Sequence, residues 1–406
     1  MKKPGDTGDT GDTGDTEDTG EPSATTGARP SAATRTALAL VRVGAGLLGL
    51  ALVFSLWASP DRTSSLPWFA TGMVGVILVL VVTGRPLPAV ARRVRPTHLL
   101  WFFLAAGFVA LVVTLLATRW PAYKLSWLNS VYAALPSIRS LPLWWTQAGL
   151  QPNQTGGFLA LVTAFAAAVA GAPSLRRLYR WSAVFLTVAG SVVVFMTGSR
   201  AALAGLVLAL LFVAVVRTSR LLWAWGAGLV ALLVALLASG QLTRIFQFFV
   251  HDETLETKLV ARLDIWSSVL SGIQDHFLTG IGLGVFNQVM PIRYPYQTVG
   301  LSFPVSQAHN LFLDTALTVG LPGAVGLMLL LVGCVVLAIQ GLTRSGLGGT
   351  ISSGILASLI VYLVFGVTDS INLSIPTSFI IWLWVCALVI VVARIEHGDE
   401  TNQRSS

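Results

Sequence analysis

The chain has 406 residues, of which 54% are hydrophobic and only 11% are charged, and its mean hydropathy is +0.75. Soluble domains carry about 25% charged residues, so this composition excludes an ordinary soluble protein. The formal net charge is +8, but the first 34 residues are net acidic, which leaves the hydrophobic part more strongly basic. A basic membrane part suits anionic membrane lipids or an anionic lipid-linked substrate. No nucleic acid partner is expected, because the basic residues lie in short loops between apolar runs.

The N-terminal segment differs in composition from everything that follows. Residues 5–20 repeat Gly-Asp-Thr and lead into a stretch of Ser, Ala, Thr and Pro that ends near residue 34. Such a segment cannot bury enough apolar surface to offset the entropy lost on ordering. Residues 1–34 are therefore predicted to form a disordered acidic cytoplasmic tail, and an acidic repeat before the first apolar run is not typical of a signal peptide.

Apolar runs long enough to cross a hydrocarbon core of roughly 30 Å recur through the rest of the chain. The predicted fold class is all-α, a polytopic helical membrane protein with about ten to twelve transmembrane helices and a large extracytoplasmic helical loop. The short alternating segments of a membrane β-barrel are missing. The predicted spans are 36–57, 67–84, 98–118, 154–171, 181–198, 199–216, 221–239, 320–341, 351–368 and 376–393, with 120–150 and 308–319 as candidates for interfacial or re-entrant helices.

The charges of the short loops predict the orientation, because Lys and Arg stay on the cytoplasmic side. A cytoplasmic N-terminus places the arginine-rich loops inside and leaves Asp369 alone in the last outer loop. The predicted organisation is then transmembrane helices at 35–239 with an outer loop at 119–153, an extracytoplasmic catalytic loop at 240–319, transmembrane helices at 320–393 and a cytoplasmic tail at 394–406.

Two arginines on the predicted outer side are candidates for binding an anion. Arg200 ends a Thr-Gly-Ser-Arg motif between two apolar runs, where an arginine normally faces a partner or a cavity. Taken alone, this position is more typical of an arginine that reaches phospholipid headgroups. Arg293 is a further outer cation, in a Pro-Ile-Arg-Tyr-Pro-Tyr stretch without a clear motif.

Arg262 and Trp266 lie one turn apart on a predicted amphipathic helix. Its apolar stripe steps by four, three, four and three residues. One interpretation is a helix on the outer membrane surface with Arg262 solvated or paired to Asp264 or its neighbours. The other makes Arg262 a phosphate ligand, since a guanidinium offers phosphate oxygens a planar and permanently charged fork. The stripe consists of Leu259, Leu263, Trp266, Leu270 and Ile273.

His309, with Asn310 beside it, begins the next apolar helix. A neutral imidazole can accept the proton of an attacking hydroxyl, although a lone histidine at a helix entry more often only caps or bonds a loop. Upstream, Gly280, Gly282 and Gly284 lack the strand and helix of a dinucleotide site and predict a tight turn where backbone approaches a substrate or another helix.

The sequence contains no His-Glu-x-x-His motif, P-loop or outer Asp-x-Asp pair. A metal-independent reaction that uses Arg and His is therefore the simpler prediction, and no cofactor is expected. Cys334 and Cys386 lie inside apolar runs and are predicted to be packing residues.

These motifs in this order resemble the bacterial O-antigen ligase and O-antigen polymerase superfamily of membrane glycosyltransferases. The residues that carry the resemblance are Thr197 to Arg200, Arg262 with Trp266, 278–286, and His309 to Leu313 with Gly320. The resemblance implies a GT-C-like all-helical fold in the plasma (inner) membrane, with the active site on the extracytoplasmic side. It also implies inverting transfer of a glycan from undecaprenyl diphosphate to an acceptor hydroxyl on a lipid, glycan or protein. Arg200 and Arg262 would bind the diphosphate, His309 would activate or orient the hydroxyl, and Arg293, Asn310 and Trp266 are further candidates for substrate contacts.

Three alternatives stay open. A repeat-unit polymerase of O-antigen or exopolysaccharide and a protein O-oligosaccharyltransferase share the same motifs. A lipid-linked glycan transporter would instead favour paired repeats and ionisable groups near mid-membrane, whereas the charges here collect at the outer edge.

Overall fold

The computed structural model describes residues 31–84, 94–121, 125–136, 150–217, 253–298, 305–343, 346–371 and 380–391. In these ranges the chain is helical, and its one β-type pairing is a bridge between Thr118 and Leu150. The helices are α1 (Ala32–Ala58), α2 (Arg62–Thr83), α3 (Pro96–Ala117), α4 (Asn129–Ala134), α5 (Pro152–Ala170), α6 (Arg177–Met196), α7 (Arg200–Arg217), α8 (Glu253–Asp275), α9 (Phe286–Arg293), α10 (Leu311–Leu342), α11 (Gly346–Gly366) and α12 (Ile380–Val391).

Eight of the described helices are long and apolar enough to cross a membrane, which confirms the predicted class of an all-α polytopic membrane protein. They are α1, α2, α3, α5, α6, α7, α10 and α11. The shorter apolar helix α12 falls within the predicted span at 376–393. The predicted span at 221–239, the repeat of the N-terminal tail and the C-terminal tail lie outside the described residues.

Small residues let the helices of the bundle approach each other closely, as is usual for membrane helices. A Cβ added to Gly44 of α1 would lie 2.6 Å from the carbonyl oxygen of Gly326 in α10, so these two backbones are nearly in contact. Helix α5 is almost wholly enclosed by α3, α6, α7 and α11. Its alanine-rich sequence explains this, since a narrow helix can be surrounded on all sides.

Helix α10 bends sharply at Gly320, whose φ of 75° and ψ of 171° are not helical. The predicted span at 320–341 is thus the second part of a longer element, and the first part is residues 311–319. That first part lies across one end of the bundle. Ser55, near the last turn of α1, donates its hydroxyl to the carbonyl of Thr318 at 2.7 Å, and the Asn310 amide donates to the carbonyl of Val367, just after α11, at 3.0 Å.

The glycine-rich turn packs against this bend. The backbone N–H of Ile281 donates to the Leu317 carbonyl at 2.8 Å, and that of Leu321 donates to the Phe277 carbonyl at 2.7 Å. A Cβ on Gly280 would lie 2.4 Å from the Thr318 carbonyl carbon. The glycines therefore allow backbone to approach another helix, as one of the two predictions for this turn states.

Candidate functional site

A cluster of polar side chains lies at the end of the bundle that carries the bend of α10. It draws on the start of α5, the segment before α10, the segment after α11 and helix α8. The members with described contacts are Gln154, Arg262, Trp266, Gln307, His309, Asp314, Asp369 and Ser370. Elements distant in sequence thus meet at one place.

Asp369 is at the centre of the cluster and is only 2% exposed. Its Oδ1 accepts hydrogen bonds from the Gln307 amide at 2.6 Å and from the backbone N–H of Ser370 at 2.9 Å. The same oxygen lies 3.4 Å from Nδ1 of His309. A proton on Nδ1 would point to this carboxylate and leave Nε2 as the proton acceptor, which is how a carboxylate orients an imidazole for base catalysis.

Gln307 is 5% exposed and connects Asp369 to the rest of the bundle. Its amide oxygen accepts from the Ser370 hydroxyl at 2.9 Å and from the Gln154 amide at 3.2 Å. Its amide nitrogen, besides donating to Asp369, lies 3.5 Å from His309 Nδ1. Buried polar groups are costly unless they are paired, so these bonds hold the glutamine, and through it the carboxylate, in one arrangement.

The backbone of His309 is held in an uncommon conformation, with a φ of 52°. A non-glycine residue in the left-handed region is strained and persists where surrounding contacts impose it. Those contacts act on Ala308, whose N–H donates to Asp314 Oδ1 at 2.9 Å and whose carbonyl accepts from Trp266 Nε1 at 2.8 Å. The imidazole is thus positioned by its neighbours and is 20% exposed at its side chain.

Asn310 caps helix α10. Its side-chain oxygen accepts from the backbone N–H groups of Phe312 and Leu313, each at 3.0 Å, while its amide donates to Val367. An asparagine is among the best residues for this N-cap role. The contacts therefore assign Asn310 to the start of the helix, directly after His309.

Arg262 and Arg200 are both half-buried and lie close enough to interact electrostatically. Burial lowers the pKa of the Arg262 guanidinium, the nearby Asp369 carboxylate opposes this, and the charge of Arg200 lowers it further. The charges of Arg200 and of Asp369, the neighbour of His309, thus both act on the Arg262 guanidinium. The loss of hydration at Arg262 favours an anion beside its guanidinium.

Arg293 lies elsewhere. It is exposed at the end of α9, with its guanidinium carbon 6.0 Å from the ring centre of Tyr294. Tyr294 in turn donates its hydroxyl to Asp275 at 2.8 Å. Asp275 ends α8 and is 13 residues from Arg262 on the same helix, which corresponds to about 20 Å at the helical rise.

Asp369 and Gln307 were not among the residues that the motifs indicated. Asp369 contributed only to the predicted orientation of the helices, as the charge of the last outer loop. An acidic residue next to apolar runs is nevertheless itself a signal of a functional group. Gln307 and Gln154 give no such signal, because neutral amides are common at helix ends. Among the described residues, no group of three or more His, Cys, Asp or Glu side chains could hold a metal ion.

Part of the polar cluster lies in a segment that matches a known protein family. The model of the O-antigen ligase family matches residues 183–328. This segment, which is less than half of the chain, is similar to an O-antigen ligase domain. The described helices make the chain a multi-pass membrane protein. No curated protein matches the sequence.

The matched segment holds only part of the cluster. Arg200, Arg262, Trp266 and His309 lie inside the matched residues, whereas Gln154 and Asp369 lie outside them. The start of α5 supplies Gln154, which bonds Gln307, and the segment after α11 supplies Asp369, which lies beside His309.

Proposed function

We propose that this protein transfers a glycan from undecaprenyl diphosphate to an acceptor hydroxyl on the outer face of the plasma membrane, with inversion and without a metal. The observation that carries the proposal is that the half-buried Arg262 interacts electrostatically with Arg200 and with Asp369, the carboxylate that lies 3.4 Å from His309. Arg200 and Arg262 carry the same charge, and a diphosphate bound by both would offset their repulsion with charge-assisted hydrogen bonds.

The proposed reaction is a direct displacement at the anomeric carbon of the first sugar. The acceptor oxygen forms a bond to this carbon while the carbon–oxygen bond to the diphosphate breaks, and the electron pair leaves with the diphosphate. Arg200 and Arg262 stabilise the charge that develops on the leaving group. The hydroxyl proton passes to Nε2 of His309, whose Nδ1 side faces Asp369.

The distribution of arginines supports an extracytoplasmic site. The cluster lies at the end of the bundle formed by the last turn of α1, the start of α5 and the start of α7. The opposite ends of α6 and α7 carry Arg176, Arg177 and Arg217, and arginines near helix ends favour the cytoplasmic side.

The remaining predicted site residues take separate roles in this proposal. Trp266 and Asn310 are positioning residues, because their described hydrogen bonds hold the chain on either side of His309. Arg293 is not part of the proposed diphosphate site. It lies near Asp275, and the stretch of α8 between Asp275 and Arg262 is several times longer than a diphosphate group.

The test uses the full chain in nanodiscs with an undecaprenyl-diphosphate-linked glycan and a panel of acceptors. The variants Arg200→Gln, Arg262→Gln and His309→Gln are compared with the wild type in the presence of EDTA, by release of lipid diphosphate and by glycan transfer. Arg62→Gln is the matched control, because Arg62 is an exposed arginine at the same end of the bundle, and its described side-chain hydrogen bond is to a backbone carbonyl.

We expect transfer to persist in EDTA and in Arg62→Gln and to fall by roughly a hundredfold or more in each site variant, the usual loss when a transition-state charge partner or general base is removed. The acceptor that is consumed separates a ligase from a repeat-unit polymerase or a protein O-oligosaccharyltransferase. Wild-type transfer in all three site variants would contradict the site. Movement of the lipid-linked glycan across the bilayer without transfer would favour the transporter.

A further inference from the structure

Helix α8 has more apolar surface than its protein contacts cover. Its buried residues Ile265, Val269 and Ile273 recur every four residues and pack against the first part of α10 and its neighbours. The predicted stripe is therefore only partly buried. Three of its leucines point elsewhere and are at least half exposed: Leu259, Leu263 and Leu270.

These three leucines form one side of the helix, because their spacings of four and seven residues return to the same face. The described polar side chains Ser267, Ser271 and Gln274 are exposed on the side that follows next around the helix. The cross-section of α8 thus has a buried side, an adjoining exposed apolar side, and a polar side.

Contacts along α8 show that it lies across the end of the bundle. Trp266 bonds the carbonyl of Ala308, and a Cβ on Gly272 would lie 2.8 Å from Leu317. Helix α8 therefore runs parallel to residues 311–319. This segment reaches from the outer end of α1 to the outer end of α11, so both it and α8 lie where the transmembrane helices end.

The exposed apolar surface is continuous with the lipid-facing side of a transmembrane helix. The carbonyl of Phe277, just after α8, accepts from the N–H of Leu321 at 2.7 Å, and both side chains are about half exposed. Leu321 begins an exposed stripe on the second part of α10 that continues through Val325 and Met328. A surface that starts on a membrane-spanning helix and continues through Phe277 just after the end of α8 adjoins the bilayer.

We propose that the leucine stripe of α8, formed by Leu259, Leu263 and Leu270, inserts into the acyl-chain boundary of the adjacent lipid leaflet. Its partner is the bilayer itself, bound as an amphipathic interfacial helix binds it, with the polar side toward water. The inference does not depend on the proposed reaction. Arg262 lies one residue before Leu263, so the inserted stripe would hold its guanidinium at the depth of lipid headgroups.

The test measures the environment of single positions on α8 in the full chain. Leu263→Cys, Leu270→Cys and Ser271→Cys are each labelled with a nitroxide in nanodiscs of phosphatidylethanolamine and phosphatidylglycerol. Collision rates with oxygen, which concentrates in the bilayer, and with a water-soluble nickel chelate give the exposure to lipid and to water. Cys334 and Cys386 are only 1% and 8% exposed, so the unsubstituted chain gives the labelling background.

We expect the ratio of oxygen to nickel collisions to be several-fold higher at positions 263 and 270 than at Ser271→Cys, the matched position on the polar side of the same helix. Equal access of the nickel chelate to all three labels would overturn the proposal. Labels at 263 and 270 that are shielded from both reagents would also overturn it, in favour of a protein partner or a second copy of the chain.

Discussion

Asp369 Oδ1 lies 3.4 Å from Nδ1 of His309, although α10 and α11 separate the two residues in the sequence. The carboxylate is held independently of the histidine, because Gln307 and the backbone N–H of Ser370 both donate to the same oxygen. A fixed acceptor beside one ring nitrogen determines which nitrogen remains free for proton transfer.

Replacing Asp369 by Asn keeps the size of the side chain but removes the anionic acceptor. We expect kcat to fall by roughly a hundredfold, since an amide can also donate to Nδ1 and stabilise the wrong tautomer. The KM for the lipid-linked donor should stay the same or decrease, because the positive charges of Arg262 and Arg200 lose an opposing carboxylate.

The matched control is Asp61→Asn, because Asp61 caps α2 through Ser64 and asparagine caps a helix equally well. Steady-state kinetics on both variants measures kcat and the KM for the lipid-linked donor separately. An increase in donor KM with unchanged kcat in Asp369→Asn would contradict the orienting role.

Trp266→Phe removes the indole N–H and retains an aromatic ring. We expect kcat to decrease by about tenfold with little change in either KM, because the bond to Ala308 positions His309 and losing one hydrogen bond costs about 1 kcal/mol. If Trp266 instead contacts the glycan directly, KM for the donor or acceptor should change more than kcat. Trp127→Phe, at an exposed tryptophan, is the control.

Gln307→Leu leaves the buried Ser370 hydroxyl and Asp369 carboxylate each without one partner. We expect the free energy of unfolding to decrease by about 1–3 kcal/mol, the cost of unpaired buried polar groups, together with a loss of transfer. Thermal unfolding in detergent measures the first effect. Gln297→Leu is the control, because Gln297 is exposed, and an equal loss of stability in both variants would show that the network has no special contribution.

Gly320→Ala tests the bend in α10. The residue has a φ of 75°, and its Cβ would lie 2.4 Å from the Leu278 carbonyl oxygen, so strain and a backbone clash act together. We expect a loss of about 3 kcal/mol or more in the free energy of unfolding.

Substitutions at two other glycines distinguish backbone strain from the backbone clash. Gly346 also has a φ of 75° but nothing within 4 Å of its Cβ, so Gly346→Ala should cost only about 1–2 kcal/mol. Gly46 lies inside α1, and a Cβ added there would have no atom within 4 Å. Gly46→Ala should therefore be neutral or stabilising by up to about 1 kcal/mol. Equal melting temperatures for the Gly320 and Gly346 variants would show that the backbone contact at the bend is unimportant.

Arg293→Gln tests the separation of Arg293 from the cluster. Burial and the charge of Arg293 lower the pKa of His276, and Asp275 opposes them. Removing Arg293 should therefore raise the His276 pKa toward its usual value, as NMR of labelled histidine can measure, while transfer stays within about twofold of the wild type.

The sign for stability follows from the same shift. Because the folded-state pKa of His276 is below the unfolded value, its contribution to stability is present above the usual histidine pKa and is lost as pH falls through the folded-state pKa. Arg293→Gln should reduce this acid sensitivity. A loss of transfer as large as that in Arg262→Gln would contradict the separate placement of Arg293.

The class of the protein and most of its helices follow from the sequence alone. A hydrocarbon core imposes one length and one polarity on every crossing segment, so hydropathy locates the spans without knowledge of their neighbours. The resemblance to the O-antigen ligase superfamily implied Arg200, Arg262 and His309 as a set, and the structure brings them to one end of the bundle. Their roles remain predictions that the kinetic experiments test.

The partners of these residues were decided only by the tertiary structure. Gln154, Gln307 and Asp369 come from three distant segments, and periodicity describes the faces of a helix but not which helix each face meets. The same limit explains α8, where one predicted apolar stripe divides into a buried side and an exposed leucine side. Hydrophobicity is a property of each residue, whereas a hydrogen-bond network or a lipid-facing surface exists only once helices distant in sequence have packed together.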